Sequence, residues 1–231
     1  MMFDLYGRGW QMLDGGLVTI QLCLTVLPFM IIIGLLGASA KLSRFKALRV
    51  IGESYTVIIR GIPELLVILL IYFGGTIAVQ NIAEMISGAE TRVDIPALWS
   101  GVAALALVQG AFASEVFRAA MLAIPKGQIE AAIATGMTPV QIFHRIKLPQ
   151  LWRFALPGLN NLFQVLIKDT ALISVVGVEE ILRKAAVGAG TEKAPFTFYL
   201  VAMLMFLAFT TVSLIAFNRL EKRASRGIAR A

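Results

Sequence analysis

Four stretches of this chain contain no Asp, Glu, Lys or Arg: Gly15 to Ala40 (26 residues), Leu65 to Ala83 (19), Ile95 to Ser114 (20) and Ala194 to Asn218 (25). Each is long enough to cross a bilayer as an α-helix, which takes about 20 residues. Only 15% of the chain is charged and its mean hydropathy is +0.81, whereas a soluble domain has about 25% charged residues. The chain is therefore read as an all-α membrane protein. A fifth stretch, Phe154 to Val178, is equally long at 25 residues but carries Lys168 and Asp169 near its middle. Whether it spans decides the topology.

The distribution of basic residues answers that question, because Lys and Arg collect in cytoplasmic loops. With five spans, one side receives Lys41 to Glu64, Glu115 to Arg153 and Arg219 to Ala231, with 15 Lys and Arg; the other side receives 5. Omitting the fourth span would move the basic C-terminal tail to the poor side. The expectation is five transmembrane helices, at about 15–40, 62–83, 95–117, 154–178 and 194–218, with the N-terminus outside and the C-terminus in the cytoplasm. The net charge of +7 then marks loops at a membrane face, not a nucleic-acid partner.

Ala38-Ser39-Ala40 follows an apolar run as a signal-peptide cleavage site would. That run is too long, though, and basic residues follow it instead of preceding it, so no cleavage is expected. The single cysteine, Cys23, cannot close an intrachain disulfide. No repeat or low-complexity tract divides the chain, and residues 1–231 read as one membrane domain.

The one large connection, Glu115 to Arg153, has 39 residues and is patterned. Pro125 ends one helix. Ile129, Ala132 and Ile133 then form the apolar face of a short helix that Gly136 stops. Thr138 and Pro139 read as an N-cap and first helical residue, followed by Val140, Phe143 and Ile146 at helical spacing up to Pro149. Two short amphipathic helices are expected, meeting at a turn. On pattern alone such a pair fits a helix-turn-helix DNA reader or a segment lying on lipid. A loop pinned between two spans argues against the DNA reader.

Glu130-Ala131-Ala132, three residues, Gly136, nine residues and Ile146-Lys147-Leu148-Pro149 resemble the EAA loop of ATP-binding-cassette importer permeases. Arg60-Gly61-Ile62-Pro63, Ser114-Glu115 to Arg118, Lys126-Gly127-Gln128 and Lys168-Asp169-Thr170 resemble, in matching order, stretches of the polar amino acid permeases. Within that family the chain is most similar to subunits of histidine, lysine, arginine, ornithine and opine uptake systems. The resemblance implies the type I importer permease fold: five spans with a cytoplasmic two-helix coupling loop, here 126–149. It also implies that Glu130, Ala131, Ala132, Gly136, Ile146, Leu148 and Pro149 dock in a cleft of an ATPase dimer. The implied partners are that ATPase, a second related permease or a copy of this chain, an external or periplasmic amino acid binding protein, and the lipid of a bacterial inner membrane. Two residues depart from the family pattern: Glu64 stands where an uncharged residue is usual, and Ala171 where Ser is common.

The chain lacks the phosphate-binding G-x-x-x-x-G-K-[ST] sequence, so energy must reach it through a protein contact. No catalytic residue, cofactor or metal is expected, since His144 and Cys23 have no companions that would make a metal site.

Substrate chemistry is expected on the fourth span, where Asn160, Gln164 and Lys168 are spaced by four and Asp169 adjoins the Lys. An ion at bilayer depth costs at least ~2.5 kcal/mol and turns to a partner or an aqueous path. Lys168 and Asp169 can meet the carboxylate and ammonium of an amino acid; they can also neutralise each other, or Asp169 can cap a helix beginning near Thr170. Arg60 and Glu64, four apart around Gly61 and Pro63, are candidates for a boundary ion pair or for substrate proximity. Glu115 and Arg118 read as a pair orienting the coupling loop. The function expected is a permease subunit of an ATP-driven importer of polar, basic amino acids or related opines. The alternatives are an autonomous secondary transporter or channel, which usually shows two related halves, and an intramembrane enzyme, which needs clustered reactive groups.

Overall fold

The computed structural model describes residues 5–87 and 96–225, all of it helix or connecting turn. A 3₁₀ turn at Leu5–Gly7 leads into α1 (Gly9–Lys41). Next come α2 (Lys46–Gly61) and α3 (Glu64–Ser87), the latter widening to a π-helix over Leu70–Gly74. Helix α4 (Ala97–Leu122) is followed by the short α5 (Lys126–Ala134) and by α6 (Pro139–Val176). The chain ends in α7 (Ile181–Thr191) and α8 (Pro195–Ala224). Helices α1, α3, α4, α6 and α8 are long and apolar enough to cross a membrane. Most of the expected loop between Glu84 and Asp94 lies outside the described residues.

Helices α1 and α4 form the centre because small residues line their contact. Gly37 lies against Ser114, where a Cβ would come within 2.6 Å of the hydroxyl oxygen. In lipid, apolar surface gains little by leaving its surroundings, so close backbone approach and van der Waals contact hold helices together. Leu22, Val26 and Met30 of α1, Leu105 and Phe117 of α4, and Leu159 and Leu166 of α6 fill the resulting core. A second cluster joins Met12 of α1, Ile181 and Ala185 of α7, and Phe198 of α8.

Residues 181–191, expected as a connection between the fourth and fifth spans, form α7, and two further regions differ from the sequence expectation. Residues 46–61, expected in a loop, form α2, which folds back along α1 and α4. Gly52 packs on Ala40, and the Tyr55 hydroxyl donates to the carbonyl of Leu107 near the middle of α4, at 2.5 Å. The second crossing is thus preceded by a helix that already runs alongside the bundle, with the break at Gly61-Ile62-Pro63 between them. Pro63 explains the break, since proline disfavours helical conformation in the residue before it, and Ile62 is extended with ψ 141°.

The second difference concerns Pro149. The patterned segment after Thr138 does not stop there but continues without interruption into the fourth span. A proline inside a helix clashes with the carbonyl four residues back, here that of Arg145. The π-helical stretch Phe143–Lys147 lies immediately before it, and its wider hydrogen-bond spacing gives that carbonyl room. One short helix, α5, therefore joins a helix of 38 residues.

The turn between them follows its sequence closely. Gly136 has φ +78°, with its N–H on the Ile133 carbonyl and the Met137 N–H on the Ala132 carbonyl, both at 3.0 Å. This paired closure of a helix C-terminus needs a left-handed residue, which glycine supplies without steric cost. Thr138 accepts from the Gln141 N–H while the Gln141 side chain accepts from the Thr138 N–H, so α6 starts with a capping box and Pro139 in its first turn.

Candidate functional site

Two charged clusters lie on either side of the Gly61–Pro63 break, and α4 touches both. Beyond the break, Glu64 opens α3 and its carboxyl group reaches Asp169 at the end of the α-helical part of α6. Asp169 Oδ2 accepts from Nε2 of Gln109 at 2.5 Å. Gln109 is fully buried and stands thirteenth of the 26 residues of α4, which puts this cluster at bilayer depth. Its amide oxygen, Oε1, is buried without a hydrogen-bond partner. The cluster thus offers two carboxyl groups and a free amide oxygen, and of the two N–H groups on Gln109 Nε2 one is bonded to Asp169. Like charges side by side in a low dielectric are costly, and the cost is relieved either by a proton shared between the two carboxyl groups or by a cation that sits between them.

Before the break, Arg60 turns away from Glu64. Its Nη1 lies 3.7 Å from Glu115 Oε1, and its guanidinium carbon lies 5.2 Å from the ring centre of Phe112. The expected Glu115–Arg118 pair forms at 2.9 Å, and Lys41 of α1 donates to the same Glu115 carboxylate. Three cations share one carboxylate here.

The expected Arg60–Glu64 pair is therefore replaced by Arg60–Glu115 and Glu64–Asp169. The break explains this: with Ile62 and Pro63 extended, residues 60 and 64 no longer share a helical face. Asp169 makes no cap for the 3₁₀ turn that follows, and no ion pair joins it to Lys168, whose side chain points to the exposed side of α6. Asn160 and Gln164 do line one face, but that face meets α8. Asn160 Nδ2 donates to Glu221 Oε1 at 3.2 Å, and Gln164 Nε2 donates to Ser213 Oγ at 2.8 Å. Lys168, four residues further on, has left that seam.

Gln109 is the residue that counting charges missed. The available signal was a long amide in the middle of an otherwise apolar, Ala-rich helix. In the patterned connection, Ala132 is buried while Glu130, Ala131 and Gly136 are exposed at the end of the bundle, and Ile146 and Leu148 are partly buried. His144 is exposed beside Phe143, at 5.3 Å between ring centres.

Residues 30–226 match the family described as binding-protein-dependent transport system inner membrane component. The chain belongs to this family. The permease is 47% identical over 222 residues to the nopaline transport system permease protein NocQ of Agrobacterium fabrum, covering 96% of this chain and 94% of that protein. It is 40% identical over 227 residues to the histidine/lysine/arginine/ornithine transport system permease protein HisQ of Escherichia coli, covering 98% and 99%. Among solved structures, an amino acid ABC transporter with histidines superposes with a TM-score of 0.80 at 29% identity, over 96% of this chain and 98% of that chain. The MetNI methionine ABC transporter in an inward-facing conformation shares the fold, with a TM-score of 0.74 at 19% identity over 95% and 99%. The permease is thus a multi-pass inner membrane protein with the type I importer fold.

Proposed function

We propose that this permease subunit carries basic amino acids or the related opines through the membrane, and that Glu64, Asp169 and Gln109 receive the substrate's cationic end. The observation that carries this reading is the Glu64–Asp169 cluster, which has acceptors in excess and no cation bonded to it, the charge of Lys168 acting on Asp169 without an ion pair. A guanidinium presents five N–H donors and an ammonium three, so either one satisfies what the protein leaves open. Lys168, exposed on the adjoining face of α6, is the cation we assign to the substrate carboxylate, and its exposure supports that reading. Asn160 and Gln164, already bonded to α8, hold the bundle beside the path.

Energy reaches the permease through α5 and the start of α6. Glu130, Ala131 and Gly136 form the surface offered to an ATPase dimer, and the closed turn at Gly136 lets α5 move with α6 as a unit. The distribution of basic residues supports a cytoplasmic position for this end and an outside position for the N-terminus. A second permease, related or identical, covers the exposed side of α6, and an external binding protein delivers substrate. The names of NocQ and HisQ, which carry nopaline and the histidine/lysine/arginine/ornithine set, support this substrate class.

The deciding experiment is ATP-driven uptake of radiolabelled arginine by proteoliposomes containing the permease purified with its associated chains. Asp169→Asn should retain those chains and lose roughly tenfold to a hundredfold in uptake, the cost of a hydrogen bond to a charged group. Full uptake by Asp169→Asn would remove Asp169 from the path. Uptake at the normal rate without an ATPase would make the chain an autonomous transporter.

A further inference from the structure

Helix α4 holds the Gly61–Pro63 break from both sides. Gln109 holds Asp169, which faces Glu64 beyond the break; Glu115, six residues along and about 9 Å further down the same helix, holds Arg60 before it. The three cations at Glu115 are not held alike. The Lys41 side chain is only 7% exposed and bonded directly, and Arg118 stands at 2.9 Å, one turn away on the same helix. Arg60 is 44% exposed and 3.7 Å away, the loosest of the three. Two contacts lock Glu115 to the α1–α4 centre, and the third reaches across to the last turn of α2. Helix α4 then passes through Ala123–Pro125 directly into α5, the helix assigned above to the ATPase.

We propose that Glu115 is a positioning residue of the transport cycle. Through Arg60 it transmits movement of α5 and α4 to the Gly61–Pro63 break, and so sets the distance between Glu64 and Asp169. It touches no substrate. The inference rests on the coupling role given to α5 under the proposed function. Here one carboxylate carries three cations, and the loose one is the one that borders the break.

The test uses the whole transporter in proteoliposomes, with ATPase rate and arginine uptake read on the same vesicles. Glu115→Gln should keep its associated chains and its basal ATPase rate. Stimulation of that rate by substrate-loaded binding protein should fall by roughly fivefold to a hundredfold, the usual range for coupling between sites. In uptake, kcat should fall with it while KM is unchanged. Arg60→Met should reproduce the loss of kcat, and the double variant should be no worse than either single one, because both act through one contact. Lys41→Met, which leaves the Arg60 contact in place, should retain stimulation. Retained stimulation in Glu115→Gln, additive losses in the double variant, or a rise in KM with kcat intact would each overturn the proposal. So would loss of the associated chains in both single variants, which would make the cluster structural. Failure of the substrate reading looks different: Asp169→Asn would transport normally while Glu115→Gln still lost stimulation.

Discussion

Arg60 and Glu64 are four residues apart, yet they stand in opposite electrical situations. The cluster before the break gathers Lys41, Arg60 and Arg118 around one carboxylate, so each charge there has a protein partner. The cluster beyond the break sets Glu64 beside Asp169 with a single amide donor between α4 and α6. The first is complete as the chain folds. The second holds itself together with a shared proton at most, and at bilayer depth a cation that arrives there meets two carboxyl groups and an unbonded amide oxygen. An unmatched charge inside a membrane protein is a better pointer to a ligand than a matched one.

The sharpest way to break this contrast is to make the second cluster resemble the first. Glu64→Lys supplies a resident cation to Asp169 and should abolish uptake of basic substrates, by at least about a hundredfold, while its associated chains are kept. Glu64→Gln should fall between that variant and the unaltered protein, and near-normal arginine uptake by Glu64→Lys would end the argument. A smaller effect is expected from Gln109→Leu, which leaves both carboxyl groups but frees Asp169 to move. Its KM should rise by roughly tenfold, the loss of one charge-assisted hydrogen bond. An unchanged KM would show that Asp169 is held by something else.

The smallest effect sharpens the comparison with a third carboxyl group. Glu180 is fully buried and, unlike its neighbour Glu179, which pairs with Lys184, is bonded to backbone: it accepts from the N–H groups of Leu182 and Arg183, at 2.8 and 2.7 Å, as the N-cap of α7. Burial pushes its pKa up to about 7, against the pull of those two bonds. A raised value means that the folded protein holds the proton more tightly than the unfolded chain does. The contribution of Glu180 is therefore fully present below its ordinary value, about 4.5, and is lost as pH rises through about 7. The melting temperature of the purified protein should fall slightly over that range, and Glu180→Gln should flatten the fall. An equal slope in the variant would place the titration elsewhere.

Much of this was legible in the sequence. The charge-free stretches became four of the crossing helices, and Gly136, Thr138 and Pro139 form the turn their residue types require. Other features were hidden for physical reasons. Counting charges passes over Gln109, an uncharged amide. The charges of α2, at Lys46, Arg49 and Glu53, made it look like a loop. Lys168 follows Asn160 and Gln164 at helical spacing, but spacing does not say which of the three a neighbouring helix covers. Hydropathy also misleads about the interior of a bundle. Helix α8 has a mean hydropathy of 2.4 with 6% of its most apolar window buried, against 1.5 and 67% for α4. In lipid the large apolar side chains of α8 are at ease outside, and the small residues of α4 let its neighbours close in.

The π-helical stretch Phe143–Lys147 accommodates Pro149, but it also has the effect of an insertion. A π turn takes up one residue more than the α turn it replaces, and one residue corresponds to about 100° around a helix axis. Because the wider turn absorbs that residue, the Gly136 turn keeps the angular phase to the Asp169 face of α6 that a regular helix one residue shorter would give. Deleting a single residue from Phe143–Lys147 would therefore restore regular winding with α5 still facing the same way, although the Arg145 carbonyl would then meet Pro149. The same deletion from the α-helical part of α6, between Leu151 and Gln164, has no wide turn to absorb it and would swing α5 more than a quarter turn about α6, away from whatever docks on it.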